Sequence, residues 1–529
     1  MKRPPNPFLA VIFVLAFSAL GFSSAANVYI TPDGSSQGAC TTSPQNPAWF
    51  NNAANWGSGA TQIGPGDTVH LCGTFTAATN GNLLYVQSSG TSGSPITIVF
   101  EPGAILQAPY FSDNGAIYIS GKSYIVIDGG TNGIIQNTNN CTTCTYHTYV
   151  SSGMYIGSGN NIEVKNLTCQ NIYVRTSTTD HNMAGGPSQN NCIHFDGGSN
   201  LTVHDSVFHD AGWTIWYGAQ SGAASNFTAY NNELYRTDHG IGFGEGGATG
   251  KTFSGILIYN NHFHDPGNWD DTASPSGQWY HHDGIHLFWY CSGGTSCSQT
   301  SSSNINIYNN LFDGNWGQVV GGQEVGMSSF VFMEGQQTGL NFFNNGGIAN
   351  VYANNGLFNL NAANEQIYNN TVIGNTTSDG YCLIANDEGG TSYIKNNVLT
   401  GCQGLINPQS GNFSGGIDHN VYGAGGNQMF QWHNGSAATN IATWRTQCGC
   451  DANAKVANPP GLDSTGHPSD GSSAVIGAGA NLTSVGIAAL DADKAGLPRP
   501  SSGSWDAGSY GYSTSNPPAA PSGLTATMH

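Results

Sequence analysis

Short stretches of alternating apolar and polar residues recur along the chain, and all but the first of them turn on an asparagine pair. They read NLTVHDSVFHDAG (200–212), NFTAYNNELYRTD (226–238), GILIYNNHFHDPG (255–267), NINIYNNLFDGNW (304–316), EQIYNNTVIGN (365–375) and SYIKNNVLTG (392–401). Alternation of period two predicts half-buried strands. The pairs Asn231-Asn232, Asn260-Asn261, Asn309-Asn310, Asn369-Asn370 and Asn396-Asn397 fit turns stacked one above another, with side-chain amides bonding along the stack.

A second segment type follows at a regular offset: CIHFDG, TIWYGA, GIGFGE, GIHLFW, SFVFME, LFNLNA and CLIAND. Aligned, these put Ile193, Ile215, Ile241, Ile285, Phe330, Phe358 and Leu383 in one column. Phe195, Tyr217, Phe243, Leu287, Phe332, Leu360 and Ala385 fall in a second, on the same face. The repeats recur at intervals of roughly 20 to 50 residues, which marks a solenoid. They are too short for two strands plus a crossover helix, and blade signatures of a propeller are missing. The pattern predicts an all-β, single-domain parallel solenoid whose coils bond to their neighbours and whose loop insertions gather on one face.

The segments NVYITPDGSSQGACTTSPQNPAWF and GPGDTVHLCGTF resemble the capping strand and first coil of the pectate-lyase-like right-handed parallel β-helix superfamily. DADKAGLPRPSSGSWDAGSYGY (491–512) resembles the closing segment of bacterial β-helix proteins. The resemblance covers residues 27–512 and implies a right-handed helix. It is specific for fold and weak for chemistry, because polysaccharide lyases and several glycoside hydrolase families share that fold. Before it, Lys2 and Arg3, the apolar run Phe8 to Phe22 and Ser24-Ala25-Ala26 read as a secretory signal over residues 1–26. After it, residues 513–529 read as a Pro-rich linker and the start of a segment resembling a fibronectin type III module, too short to complete one.

Composition agrees with export and a packed core. The chain has 74 Gly and only 8% charged residues, yet 23 Phe, 23 Tyr and 11 Trp, which separates it from disordered chains. Its net charge of −19 argues against nucleic acid and anionic membranes as partners, and a polyanionic substrate would need bound cations. We expect a monomer in the periplasm or outside the cell, acting on a polysaccharide. Twelve cysteines in an oxidising compartment predict disulfides Cys40–Cys72, Cys169–Cys192, Cys291–Cys297 and Cys382–Cys402. Cys141/Cys144 and Cys448/Cys450 read as staples in preference to metal ligands, since no His at zinc spacing accompanies them.

The chemistry concentrates between residues 236 and 334, where the longest insertions (265–283 and 290–303) interrupt the coils. Aligning Gly240 with Gly284 sets Asp238 level with His282 and His239 level with Asp283, an Asp/His cluster across two coils. Coils roughly 4.8 Å apart deliver carboxyl spacings suited to glycoside hydrolysis, roughly 5 to 9.5 Å. Asp238 and Asp283 are the first pair, Glu245 and Glu334 the alternates, both placed just after their strands, and His282 or His239 tunes the acid or binds a sugar hydroxyl. Trp216 shares an outward column with His194 and His286 and offers a platform for a pyranose ring. Asp196, Trp279, Tyr280, Trp289 and Arg236 complete the expected substrate-binding set, and Trp213, Trp269 and Trp316 add to the local aromatic density.

The plain alternative is that Asp before Gly caps a turn and Trp fills a core. Two other functions stay open. One is a lyase eliminating across a uronate, with His282 or Tyr280 as base and Ca2+ on Asp265, Asp270 and Asp271; Arg175, Arg236 and Lys251 are the only basic residues nearby. The other is a non-catalytic adhesin. The hydrolase reading requires no cofactor.

Overall fold

The computed structural model describes residues 25–139, 151–172, 190–218, 224–246, 252–266, 282–290, 301–320, 323–326, 329–349, 356–375, 380–413 and 415–513. The signal segment and the terminal linker from residue 514 lie outside them, as do Cys141, Cys144, Cys291 and Cys297. The strands form a right-handed parallel β-helix in which each pairs in parallel with its counterpart one coil away. Among the described residues one antiparallel pair, Gly317–Val320 with Gln323–Gly326, stands apart from it.

Each coil contributes three walls. Wall A stacks Asn190–Asp196, the end of Val207–Gly218, the end of Glu233–Gly246, Asp283–Tyr290, Ser329–Met333 and Gly356–Asn361. Wall B runs through Gly198–His204, Ala224–Tyr230, Thr252–Tyr259 and Ser301–Tyr308. Wall C runs through the start of Glu233–Gly246, His262–His264 and Leu311–Asp313. Alternate residues point inward, and one continuous apolar core fills the bore.

The asparagine pairs turn the chain from wall B to wall C, and the two members do different work. The first takes a left-handed conformation, with φ 54° at Asn231, 56° at Asn260 and 57° at Asn309. The second is buried and builds a ladder along the axis, Nδ2 to Oδ1 of the next coil: Asn232 to Asn261 at 2.9 Å, then Asn310, Asn345 and Asn370 at 3.1 Å each, Asn397 at 3.0 Å and Asn420 at 3.1 Å. The backbone N–H of the preceding asparagine in the ladder also donates to each Oδ1, as Asn261 N does to Asn310 Oδ1 at 3.0 Å. The expected bonding along the stack is observed, and Asn344-Asn345 and His419-Asn420 extend it beyond the pairs read from the sequence.

Both ends are closed. The helix Pro47–Phe50 buries Phe50 at one end, and Ile441–Cys448 buries Trp444 at the other. The expected closing segment lies back along the asparagine corner, where Asn344 and Asn369 donate to the carbonyls of Ala492 and Asp506, and Asn396 donates to that of Ala480 just before the segment. Disulfides join Cys40–Cys72, Cys169–Cys192, Cys382–Cys402 and Cys448–Cys450. Among the described residues no helix is long and apolar enough to cross a membrane.

One coil departs from the expected register. Ile285 pairs with Val331 and Leu287 with Met333, so Val331 and Met333, not Phe330 and Phe332, occupy the core columns. Phe330 is buried one position earlier, between Phe312 and Trp316, and Phe332 moves to the outward column. The slip also separates Glu245 from Glu334. Glu245 is level with Trp289, whereas Glu334 follows Met333, the partner of Leu287, and so falls level with Phe288, one residue earlier; its N–H donates to the Leu287 carbonyl at 2.9 Å.

Glu365 is fully buried, with Oε1 accepting from the Ala362 N–H at 3.0 Å. Burial first, then the charges of Asp387 and Glu388, push its pKa well above the usual range. The folded state therefore holds a proton that the unfolded chain loses above about pH 4.3, and stability falls as pH rises from there toward the raised pKa. Glu365→Gln keeps the acceptor and removes the titration. Its melting temperature should exceed that of the wild type by more at about pH 8 than at about pH 4.

Candidate active site

The outward column of wall A is nearly a continuous aromatic file. In register it runs Tyr85, Tyr118, Tyr155, His194, Trp216, Gly242, His286 and Phe332. Tyr118 and Tyr155 stack at 5.5 Å, and Tyr155 meets His194 edge-on at 4.9 Å. The three tyrosines escaped the alignment of the longer repeats, although LLYVQ, AIYIS and GMYIG share an apolar-Tyr-apolar signature. Asp196, nearly buried, accepts from the Tyr155 hydroxyl at 3.1 Å, and burial together with Asp196 raises that phenol's pKa. His194 lies 3.8 Å from Asp113.

Glycine makes the bed on which the indoles lie. In GIGFGEG the outward positions of wall A are Gly242 and Gly244. A Cβ on Gly242 would sit 1.9 Å from the Trp213 ring, and one on Gly244 would sit 2.2 Å from the Trp216 ring. Trp216 thus reaches across the next coil, half-buried, with Trp213 edge-on at 4.7 Å. Trp213 itself is buried and stacks on His239 at 4.0 Å and 8°.

The expected pairing of His239 with Asp283 is present. Around it Asp238, His239, His282, Asp283 and His286 are all buried, none more than 2% exposed. His239 Nδ1 donates to Asp238 Oδ2 at 2.6 Å. His239 Nε2 faces His286 Nδ1 at 3.1 Å and Asp283 Oδ2 at 3.3 Å, and His286 Nδ1 is 3.2 Å from the same Asp283 oxygen. The Ser329 N–H fixes Asp283 through Oδ1 at 2.9 Å. His282 Nδ1 is 3.7 Å from Asp238 Oδ1. Burial opposes a charge on His239, but Asp238 and Asp283 outweigh it and push its pKa up to about 9.

The cluster opens outward through Glu334. His286 Nε2 lies 3.6 Å from Glu334 Oε2, and the Glu334 side chain is 33% exposed where those of Asp238 and Asp283 are at 0%. A row of groups therefore leads from buried Asp238 through His239 and His286 to a carboxyl at the surface. Arg236 is held elsewhere: Asp210 binds its guanidinium through both oxygens, at 2.8 and 2.6 Å. Asp265 is engaged by His264 at 2.8 Å and the Asn315 N–H at 2.7 Å. Trp316 is core. Trp269, Trp279, Tyr280, Asp270, Asp271, Arg175 and Lys251 fall outside the described residues, as do the side chains of Glu245 and Trp289.

No protein-family model matches the chain, and no curated protein matches it. Among solved structures it is similar to "pectate lyase Pel9A", at 14% identity over 93% of this chain and 98% of that one with a TM-score of 0.42. A "Rhamnogalacturonan lyase" matches at 13% identity over 67% of this chain and 84% of that one, TM-score 0.35. The "GH136 lacto-N-biosidase from Eubacterium ramulus" matches at 11% over 82% and 67%, TM-score 0.35. At such distances the role of each side chain rests on the geometry of this chain.

Proposed function

We propose that this chain is an exported polysaccharide-degrading enzyme, a glycoside hydrolase that binds its glycan along wall A and cleaves it beside Glu334. The observation that carries the reading is the outward aromatic file ending at a carboxyl that a buried Asp–His row supports. Flat apolar rings in register suit the faces of successive sugar rings. The Trp216 ring ends over Gly244, which pairs with Phe288, and Glu334 is anchored one coil beyond that. About 10 Å thus separates platform from carboxylate, room for a short run of sugars.

Glu334 is the carboxyl that touches substrate, and Glu245, two coils away by backbone register, is its partner. Two coils place their backbones about 10 Å apart, from which two glutamates can span a scissile bond. His286 faces Glu334 at 3.6 Å, and Asp238 and Asp283, buried against imidazoles, are positioning residues. Asp210 binds Arg236 through two nitrogens, which leaves elimination to an imidazole or tyrosine base.

The test is product analysis on a panel of neutral and uronate polysaccharides. New reducing ends with saturated products support hydrolysis. Unsaturated products would make the chain a lyase, and binding without products would make it an adhesin. Trp216→Ala should raise KM about 10-fold or more while leaving kcat within a few-fold, since a stacking platform contributes about 1 to 2 kcal/mol of binding.

A further inference from the structure

Three ligand-bearing atoms in the buried cluster converge on one point. His239 Nε2, His286 Nδ1 and Asp283 Oδ2 form a triangle with edges of 3.1, 3.3 and 3.2 Å. An ion about 2.1 Å from each ligand would set edges of about 3.0 Å at octahedral angles and about 3.4 Å at tetrahedral ones. The observed triangle lies between these limits. We propose that His239, Asp283 and His286 bind a divalent first-row transition ion through these atoms.

The surroundings support the assignment. A metal-bound imidazole needs an acceptor on its other nitrogen, which fixes tautomer and ring plane. His239 has a carboxylate there, Asp238 at 2.6 Å from Nδ1, and the Glu334 carboxylate faces His286 Nε2 at 3.6 Å, within ion-pair range but beyond hydrogen-bond distance. Asp283 is aimed by the Ser329 N–H, and Trp213 packs flat against His239. Two imidazoles and one carboxylate suit zinc, cobalt or iron(II). Calcium, which takes six or more oxygens, does not match this donor set.

A second group, Glu233 with His262 and His264 on wall C, also brings three donors together. There the imidazoles are bound to carboxylates of their own. His262 Nε2 meets Asp313 at 2.6 Å, and His264 meets Asp265 at 2.8 Å and Glu233 at 3.2 Å. These are ion-paired histidines on a partly exposed wall, and they serve as the control.

The site does not depend on whether the chain cleaves glycans, so its test reads metal. Chelator-treated protein is titrated with Zn2+ calorimetrically, and with Co2+ by its visible absorption. Wild type and His264→Ala should take up one ion per chain, His286→Ala and Asp283→Ala none, with folding checked by circular dichroism. Asp238→Asn, which leaves all three ligands in place, should bind Zn2+ about 10- to 100-fold more weakly. The proposal is overturned if wild type takes up no ion, if His286→Ala retains it, or if His264→Ala loses it.

Discussion

Glutamine at Glu334 is expected to lower kcat by a factor of about 100 to 10,000, the usual contribution of a positioned acid or base, with KM held within a few-fold. The substitution keeps shape and polarity at a side chain already 33% exposed, so melting should change little. Asp238→Asn acts one step removed: it loosens His239 and should lower kcat less than Glu334→Gln does. Equal activity in wild type and Glu334→Gln, measured on the polysaccharide that the wild type cleaves, would remove Glu334 from the reaction.

The largest effect on stability is expected within the asparagine ladder. Asn310 donates through Nδ2 to the Ile258 carbonyl at 3.0 Å and Asn345 Oδ1 at 3.1 Å, and its Oδ1 accepts from the Asn261 backbone and side chain at 3.0 and 3.1 Å. Alanine there strands several buried groups, each costing about 1 to 3 kcal/mol, so a loss of about 3 to 5 kcal/mol is expected in urea unfolding. Its neighbour Asn309, at φ 57°, should accept glycine at a cost below about 1 kcal/mol. Two adjacent residues of one type thus separate backbone conformation from hydrogen bonding. If Asn309→Gly proves the more damaging, the ladder is not what holds this corner.

These roles mark what the sequence can and cannot tell. Repetition exposes the solenoid, and the shared Gly240/Gly284 frame sets His239 beside Asp283, because strict alternation on a buried face leaves a single register. The same rule misplaces Phe330. Three consecutive apolar residues, Phe330, Val331 and Phe332, carry no alternation, and the choice falls to the space below Gly284, where a Cβ would already meet Phe312 at 2.7 Å. Nor does the pattern distinguish the two members of an asparagine pair, since turn conformation and axial bonding both favour asparagine.

The site was legible as a location and less so as an arrangement. Asp238 and Asp283 stand where alignment puts them, yet their burial against histidine comes from the stack of Trp213, His239 and His286, with ring centroids 4.0 and 5.1 Å apart. That stack depends on Gly242 leaving room for an indole, a three-dimensional consequence of an alternation that reads only as flexibility in the sequence. The triangle formed by His239, Asp283 and His286 requires a diagonal between coils, which column alignment does not display.

The most direct test is a crystal structure of Glu334→Gln with an oligosaccharide of the cleaved polysaccharide. The glycan should lie along Tyr118, Tyr155, His194 and Trp216, a sugar ring on the Trp216 face and a glycosidic oxygen within hydrogen-bond reach of residue 334. A glycan bound on wall B or wall C, or crossing wall A away from residue 334, would contradict the account.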